Sequence, residues 1–254
     1  MVRRLQGKVI VVAGGGGIGG GLAKRYAGEG ASVVLGDISE AVARETVDEI
    51  TAAGGTATAL QLDGSDDASI KAAVDLAVSS YGGLDGFHAN FANFGDGNSP
   101  VDVLELPMDI YDEVMHVNAR GFVLCTQRAL PPMLERGGGS IVYTSSGSAH
   151  QPMASRTAYS MGKAAGHALM RHVATKFGPR GIRANTIAPG VIAHKRFWEV
   201  MDPKIVDEFK AIIPIGRLGA PEDIAAMGAL LMSDEGSFIT GQVISVDGGA
   251  SMRP

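Results

Sequence analysis

Short apolar runs rich in Val and Ile alternate along the chain with longer stretches in which apolar positions recur at a helical period. Apolar runs of this length between helical segments are typical of parallel strands that are covered on both faces. The pattern therefore predicts an α/β protein, a doubly wound sheet of seven mostly parallel strands in the order 3-2-1-4-5-6-7 with helices on both faces. The predicted strands are Lys8 to Ala13, Ser32 to Asp37, Thr56 to Gln61, Gly86 to Ala89, Ser140 to Thr144, Arg183 to Ile187 and Val243 to Val246.

Length and charge indicate a single domain that binds neither nucleic acid nor a membrane. The 254 residues are 45% hydrophobic, which is enough for a substantial core, and we expect a single domain over residues 1–254. Lys and Arg total 22 against 27 Asp and Glu, giving a net charge of -5 without a basic block. We therefore predict no nucleic-acid partner and no membrane partner.

Cysteine content and the first residues bear on the cellular compartment. The single cysteine, Cys125, excludes an intrachain disulfide framework and has apolar neighbours, as expected for a buried thiol. The first apolar run stops at a group of glycines and is too short for a membrane span. We expect a cytoplasmic protein without a targeting segment.

A glycine-rich turn follows the first predicted strand and opens a helix. Gly14, Gly16 and Gly19 satisfy the pattern G-x-G-x-x-G, and Gly17 and Ile18 lie within it. Glycines let the backbone approach a diphosphate, and a helix N-terminus attracts the anion. A flexible turn is the alternative, but each glycine in a helical turn costs about 1 kcal/mol relative to alanine, which a ligand explains better than packing does. The turn therefore predicts a Rossmann-like dinucleotide site.

Acidic residues end the next two strands. Asp37 lies 18 residues after Gly19, where a carboxylate would bind the adenosine ribose hydroxyls and repel a 2′-phosphate. Neither Gly16 nor Ile38 offers a cation for such a phosphate, so we predict NAD rather than NADP as cofactor. Capping of the next helix is the alternative for Asp37. Asp63 is predicted to meet the adenine edge, with a turn aspartate as the alternative.

A tyrosine and a lysine share one face of a later helix. Tyr159 and Lys163 are i and i+4 neighbours, so their side chains can share a site. A lone tyrosine has a pKa near ~10, and an adjacent ammonium lowers it by favouring the phenolate. The pair predicts proton transfer by Tyr159 with Lys163 tuning it. The same spacing is also typical of a solvated helix face, so the surrounding motifs must decide.

Further motifs carry a family resemblance over nearly the whole chain. They are VNARG at 117–121, VYTSSG at 142–147, YSMGK at 159–163, NTIAPG at 185–190 and TGQVISVDGG at 240–249. With the glycine turn, these motifs make the sequence resemble the short-chain dehydrogenase/reductase family in its compact form. The resemblance implies a catalytic tetrad of Asn118, Ser146, Tyr159 and Lys163, in which Ser146 lies 13 residues before the tyrosine.

The resemblance also implies a role for each member of the tetrad. Ser146 would hydrogen-bond the substrate oxygen, and Tyr159 would transfer the proton. Lys163 would bind the nicotinamide ribose and lower the pKa of the tyrosine, while Asn118 would hold a water that connects Lys163 to solvent. A packing role for Asn118 stays open.

Cofactor contacts and assembly follow from the same resemblance. The chain would be a homotetramer, and strand-end residues besides those of the glycine turn would contact the cofactor, namely Asn90, Pro189, Gly190 and Ile192. From the residues alone, Ser145 or Ser148 competes with Ser146 for the catalytic role.

The chain departs from the family pattern around the cofactor. Its glycine turn is one residue short, and Ala13 lacks the hydroxyl of the usual threonine. Phe91 and Ala92 replace smaller residues. His194 follows Pro189-Gly190 where the family often has a threonine near the cofactor, and phosphate, substrate and solvent are its alternative partners.

The predicted substrate is a secondary alcohol or ketone of hydrophobic or cyclic character. The expected pocket edges are mostly apolar and aromatic: Phe91, Phe94, His150, Met153, Phe197, Trp198 and Met201. Ala193 to Pro214 is the longest stretch outside the strand-helix rhythm, and we expect a substrate loop around 193–215. Alternatively, the aromatic residues of this loop pack beneath it.

The sequence leaves two alternative functions open and argues against two others. A 3-oxoacyl thioester reductase is the competing activity within the family, although such enzymes usually use NADPH. A noncatalytic dinucleotide-binding protein on the same fold is the second alternative. Ser160 and Lys163 match the S-x-x-K of some hydrolases, but its companion motifs K-T-G, S-D-N and G-x-S-x-G are missing. No histidine or cysteine motif predicts a metal site.

Overall fold

A seven-stranded parallel sheet forms the centre of the protein, as seen in a computed structural model that describes residues 3–95 and 102–252. The strand order is β3-β2-β1-β4-β5-β6-β7, and every neighbouring pair is parallel. The predicted fold class and strand order are therefore confirmed. The strands are β1 Val9–Ala13, β2 Ser32–Asp37, β3 Thr56–Gln61, β4 Gly86–Ala89, β5 Gly139–Thr144, β6 Ile182–Pro189 and β7 Val243–Val246.

Strand β6 is longer than predicted. The apolar run indicates an end at Ile187, but β6 continues to Pro189 because β7 pairs with its last four residues, ending at Pro189 opposite Val246. Proline lacks an N–H and is tolerated at a strand end. The extension carries the chain directly to Gly190, at the same edge of the sheet as the glycine turn.

Helices cover both faces of the sheet. Helices α1, α2 and α9 pack with Ile10, Val12 and Leu35 on one face, and α3, α5 and α6 pack with Val11 and Phe87 on the other. Alternate residues of β1 thus enter opposite cores, as the pleat of a strand requires. The helices are α1 Ile18–Gly28, α2 Glu40–Ala52, α3 Asp67–Tyr81, α4 Met108–Met115, α5 Gly121–Glu135, α6 Thr157–Phe177, α7 Lys195–Val200, α8 Pro203–Ile212 and α9 Pro221–Met232. Within the described ranges, no helix is long and apolar enough to cross a bilayer.

The predicted substrate loop contains two short helices, α7 and α8, with a small core of their own. Phe197, Val206, Ile213 and Leu218 are buried against one another. Phe197 therefore packs beneath the segment, as the alternative interpretation states, whereas the side chain of Trp198 is 57% exposed. A segment with its own apolar cluster can move as a unit over a neighbouring site.

A chain of buried polar groups crosses the sheet below the glycine turn. The Tyr26 hydroxyl lies 2.7 Å from His88 Nδ1, and His88 Nε2 lies 2.9 Å from Thr144 Oγ1. Thr144 donates to Asn90 Oδ1 (2.9 Å), and Asn90 Nδ2 donates to the carbonyl of Gly14 (2.9 Å). Satisfied networks of this kind hold their members in one arrangement. Helix α1 and strands β4 and β5 thereby position the turn.

His88 makes the stability of this network depend on pH. Burial lowers the pKa of His88 from 6.5 to about 3, so the folded protein holds it neutral while the unfolded chain binds a proton below pH 6.5. The stabilisation is complete above the unfolded value and is lost as pH falls towards 3. Between pH 7 and pH 5 we expect His88 alone to lower the free energy of unfolding by about 2 kcal/mol.

Chemical denaturation at both pH values measures this effect. The His88→Gln variant should be less stable than wild type at pH 7 and should lose less stability on acidification. His116→Gln, which changes an exposed histidine, should keep the wild-type slope. Equal slopes for His88→Gln and wild type would contradict the prediction.

Candidate active site

The predicted site residues meet at the carboxyl edge of the sheet. Each lies at or just after a strand end, or on the helix that follows β5, the arrangement in which open parallel sheets bind ligands. Going along the chain, they are Gly14 after β1, Asp37 at the end of β2, Asp63 after β3, Asn90 after β4, Ser146 after β5, Tyr159 and Lys163 on α6, and Gly190 after β6.

The glycine turn has a geometry that side chains would block. A Cβ on Gly14, whose φ is +102°, would lie 2.8 Å from the backbone nitrogen of Phe91. A Cβ on Gly19 would lie 1.7 Å from the Gly14 carbonyl oxygen. Gly16 and Gly17 are exposed at the N-terminus of α1. An anion can therefore reach the amide groups of this helix start.

Asp37 is bound to the backbone of the turn. Its Oδ2 accepts hydrogen bonds from the N–H groups of Gly15 (2.8 Å) and Gly16 (3.1 Å). Its Oδ1 accepts one from Ser39, the residue before α2, so the carboxylate also serves the next helix start (3.0 Å). The carboxylate therefore holds the shortened turn against β2.

Asp63 and Asn90 organise the backbone at their strand ends. Asp63 Oδ1 accepts from the N–H and the hydroxyl of Ser65 (2.8 and 2.6 Å), as the turn interpretation of this residue expects. The side-chain carbonyl of Asn90 accepts a hydrogen bond from Thr144, and its amide group donates one to the carbonyl of Gly14. Its contribution to a cofactor site is thus the placement of the turn.

After β6 the chain pairs briefly with the segment before α9. Gly219 donates to the carbonyl of Val191 (3.0 Å), and Ala193 donates to the carbonyl of Gly219 (2.8 Å). In a parallel bridge of this kind, the N–H and carbonyl of Ile192 point away from Gly219. The backbone of Ile192 is therefore available to a ligand on its other side.

Ser146 and Tyr159 are in direct contact through their hydroxyl groups. Burial raises the pKa of Tyr159, and the hydrogen bond with Ser146 and the positive charge of Arg156 partly offset this. Ser145 instead points inwards to His167 Nε2 (2.7 Å). Of the neighbouring serines that competed for the catalytic role, the structure therefore places Ser146 beside the phenol.

Lys163 is buried below the tyrosine and held by two carbonyl groups. Its Nζ donates to the carbonyls of Thr144 (2.9 Å) and Phe91 (3.1 Å) and lies 5.9 Å from the centre of the Tyr159 ring. Burial lowers its pKa to about 7. The expected net lowering of the Tyr159 pKa is not found, because burial of the phenol dominates and raises it.

Asn118 lies in a π-helical turn, His116–Arg120, between α4 and α5. The fully buried side chain donates to the carbonyl of Asn93 (2.7 Å) and accepts from its N–H (2.8 Å). A Cβ on Gly162 would lie 2.8 Å from the Cβ of Asn118, so this glycine lets α6 approach the turn. Asn118 therefore fastens the loop after β4 beside the Tyr159 helix. The water that Asn118 is expected to hold between Lys163 and solvent stays a prediction.

Comparison with known proteins decides the family. A family model described as enoyl-(acyl carrier protein) reductase matches residues 12–251. A probable short-chain type dehydrogenase/reductase of Bradyrhizobium diazoefficiens is 38% identical over 247 residues, 97% of this chain and 88% of the relative. The chain belongs to the short-chain dehydrogenase/reductase family. Its predicted class, an oxidoreductase that acts on CH–OH groups, is confirmed at this level.

Other members resemble this dehydrogenase/reductase over their whole length. The 2,5-dichloro-2,5-cyclohexadiene-1,4-diol dehydrogenase of Sphingobium indicum is 37% identical over 253 residues, 99% of both chains. The 7alpha-hydroxysteroid dehydrogenase of Escherichia coli is 36% identical over 247 residues, 97% of this chain and 95% of the relative. A solved structure of a 7 alpha-hydroxysteroid dehydrogenase with NADH and 7-oxo glycochenodeoxycholic acid has a TM-score of 0.90 at 35% identity, covering 97% and 95% of the two chains.

The short-chain dehydrogenase/reductase site includes an arginine that the sequence did not reveal. Arg156 has a φ of 62°, the only left-handed residue other than glycine in the described ranges, and it directly precedes the helix that carries Tyr159. Its guanidinium lies 6.0 Å from the Phe94 ring centre, and that ring stacks on Tyr159 at 5.0 Å. A left-handed arginine costs about 1–2 kcal/mol, and strained residues cluster at functional sites.

The two phenylalanines after β4 have different positions. Phe94 is 52% exposed beside Tyr159, as predicted for a pocket edge. Phe91 is not a pocket edge, because its ring packs edge-on against Phe122 at 5.4 Å and lies beneath the turn. Gly64 and Gly121 leave the space for this ring, and a Cβ on either glycine would come within 3 Å of it.

Replacing one turn glycine should separate ligand binding from general helix effects. Gly19→Ala places a methyl group on the Gly14 carbonyl, and we expect at least about a tenfold loss of NADH affinity and about 1–3 kcal/mol of stability. Gly28→Ala is the matched control, because it lies in the same helix with open space around its Cβ. Fluorescence titration and denaturation measure both quantities. Wild-type NADH affinity in Gly19→Ala would refute the role of the turn.

Proposed function

We propose that this protein transfers a hydride between NAD(H) and a secondary alcohol/ketone pair of hydrophobic or cyclic character. The contact between the Ser146 and Tyr159 hydroxyls, at the edge of the sheet that carries the glycine turn, is the observation that supports this most strongly. A substrate oxygen placed between these hydroxyls would accept a hydrogen bond from each. The carbon attached to that oxygen would then be held in a defined orientation.

The residues present fit a dinucleotide cofactor. The exposed start of α1 suits a diphosphate, and Asp37 lies behind the turn where an adenosine ribose would be bound. The backbone of Ile192 and the third N–H of Lys163 would hold the nicotinamide half. When bound, the cofactor supplies the hydride acceptor or donor, and its oxidised ring carries a positive charge.

Proton transfer would belong to Tyr159. In ketone reduction its hydroxyl donates a proton to the substrate oxygen, and the raised pKa keeps the hydroxyl protonated for this step. In alcohol oxidation the tyrosine must first lose its proton. Arg156 and Ser146 assist that loss, because both stabilise the phenolate. The site therefore has groups that serve either direction.

Ser146 and Lys163 would support this transfer in different ways. Ser146 donates to the substrate oxygen and stabilises the negative charge that develops there. Lys163, fixed by the carbonyls of Thr144 and Phe91, has a pKa of about 7 and so can gain or lose a proton near neutral pH. It would hold the nicotinamide ribose and exchange protons with the surroundings of Tyr159.

The class of substrate is supported by the apolar side chains at the predicted pocket edges. Phe94 stacks on Tyr159, and Met153 and Trp198 are exposed. An apolar, aromatic border suits a ring compound better than a sugar phosphate. The relatives named for a chlorinated cyclohexadienediol and for a 7alpha-hydroxysteroid support the same class. NAD preference is proposed from Asp37.

A panel assay tests the proposal. We expect cofactor reduction with hydroxysteroids or cyclohexadienediols and NAD, and lower kcat/KM with NADP. A 3-hydroxyacyl thioester and a small linear alcohol serve as comparison substrates. Turnover of the thioester with NADP alone would favour the acyl reductase alternative. NADH binding without turnover of any alcohol or ketone would favour the noncatalytic one.

A further inference from the structure

His194 lies over the start of the glycine-turn helix. A Cβ on Gly17 would come within 2.9 Å of the ring atoms Cγ and Cδ2 of His194 and 3.3 Å of Nδ1. Gly17 precedes α1 with φ 43° and ψ -97° and is exposed. His194 itself precedes α7 of the substrate loop. The imidazole therefore connects the loop to the place where an anion would meet α1.

Most amide groups of the turn are already engaged. The N–H groups of Gly15 and Gly16 donate to Asp37, and the N–H of Gly19 donates to the Gly16 carbonyl (2.8 Å). Within the described hydrogen bonds, the N–H groups of Gly17, Ile18 and Gly20 have no partner, and because Gly20 is buried, those of Gly17 and Ile18 are left for a ligand. A dinucleotide diphosphate brings two negative charges into a site that already contains the Asp37 carboxylate. Two amides alone compensate this poorly.

We propose that the His194 imidazole donates a hydrogen bond to the diphosphate of the bound dinucleotide and so fastens the substrate loop onto the cofactor. The proposal rests on the proposed NAD(H) cofactor but not on any substrate or on turnover. It gives His194 a function that goes beyond the catalytic tetrad. The small residue at position 17 is what lets the ring approach the helix start.

The charges around His194 give the interaction a pH dependence. Partial burial, followed by the positive charge of Arg196, lowers the pKa of His194, so the ring is neutral at pH 7 without an anion. On neighbouring elements, Asp37 lies behind the turn, and the Arg217–Asp223 pair precedes and opens α9. A bound diphosphate favours the protonated ring. Binding would therefore take up protons, and affinity would rise as pH falls.

Calorimetric titration with ADP-ribose and adenosine tests the proposal without catalysis. In His194→Ala we expect about tenfold weaker binding of ADP-ribose at pH 7 and unchanged binding of adenosine, which has no phosphate. His194→Asn keeps a donor but cannot titrate, so its ADP-ribose affinity should be nearly equal at pH 6 and pH 8. Wild type should bind ADP-ribose more tightly at pH 6. His172→Ala, which removes an exposed imidazole on α6, should behave as wild type.

Several outcomes would overturn the proposal. One is wild-type ADP-ribose affinity in His194→Ala, and another is an equal loss for adenosine, which would mean a distorted pocket. A third is the wild-type pH response in His194→Asn. If ADP-ribose binding depends on His194 but no alcohol or ketone turns over, the inference stands and the proposed function fails. If wild type binds no ADP-ribose, both fail.

Discussion

Tyr159→Phe should reduce kcat by about 10²- to 10⁴-fold while leaving NADH affinity within about twofold of wild type. The change removes the hydroxyl that transfers the proton but keeps the ring that stacks on Phe94. Because we expect the dinucleotide to be bound mainly at other strand ends, its dissociation constant should hardly move. Steady-state kinetics and NADH titration on the same preparation measure the two quantities.

Tyr81→Phe is the matched control for this variant. It removes a hydroxyl that is hydrogen-bonded to Thr58 of β3 at 2.7 Å, so kcat should stay at the wild-type value. Turnover by Tyr159→Phe at more than about a tenth of the wild-type rate would rule out this tyrosine as the proton donor or acceptor. A parallel loss of NADH affinity would assign the effect to binding instead.

Asp37→Ser should change cofactor choice by about 5- to 10³-fold in the ratio of kcat/KM for NAD to that for NADP. The range follows from the repulsion between two unit charges about 4 Å apart, which is about 1 kcal/mol in water and about 4 kcal/mol near a protein surface. Serine removes the charge and keeps an acceptor for one of the turn amides. Activity with NADP should therefore rise as activity with NAD falls.

Glu40→Gln controls for the loss of a negative charge nearby. Glu40 is the first residue of α2 and pairs with Arg44, so its removal should leave the cofactor ratio unchanged. A wild type that prefers NADP would contradict the assignment of Asp37 at once. An unchanged ratio in Asp37→Ser would mean that the carboxylate serves only to hold the turn.

Much of the fold was predictable because its information is local. Runs such as Val9–Ala13 and Ser32–Asp37 are short, apolar and bounded by turns, so burial in a parallel sheet is their stable solution. The segment 193–215 was predicted only as a substrate loop, and α7 and α8 within it were not predicted. Their stability comes from Phe197 and Val206 meeting Ile213 and Leu218, residues that the helical period does not connect with them.

The site was predictable where residue type and spacing define the chemistry. Tyr159 and Lys163 share a helix face, and Ser146 meets the tyrosine across a loop. Electrostatics was not predictable in the same way, because it depends on burial. The pKa of Tyr159 is raised rather than lowered, since the phenol is desolvated.

Features that arise from tertiary contacts left little trace in the sequence. Nothing in the residues around Arg156 predicts a left-handed backbone, because no glycine or asparagine marks the position. Phe91 was expected at the pocket, yet its ring fills a space that two distant glycines leave open. The position of His194 against Gly17 likewise depends on the fold, which places the ends of β1 and β6 at the same edge of the sheet.

Thr144 belongs to two systems at once. Its side chain contacts His88 and Asn90, which position the glycine turn, and its carbonyl accepts a hydrogen bond from Lys163. The glycine turn therefore cannot be exchanged independently of Lys163. We expect that grafting residues 13–19 from another member of the family would also disturb Lys163, and that selection for a new coenzyme would lower the turnover rate unless positions 88, 90 and 144 changed together.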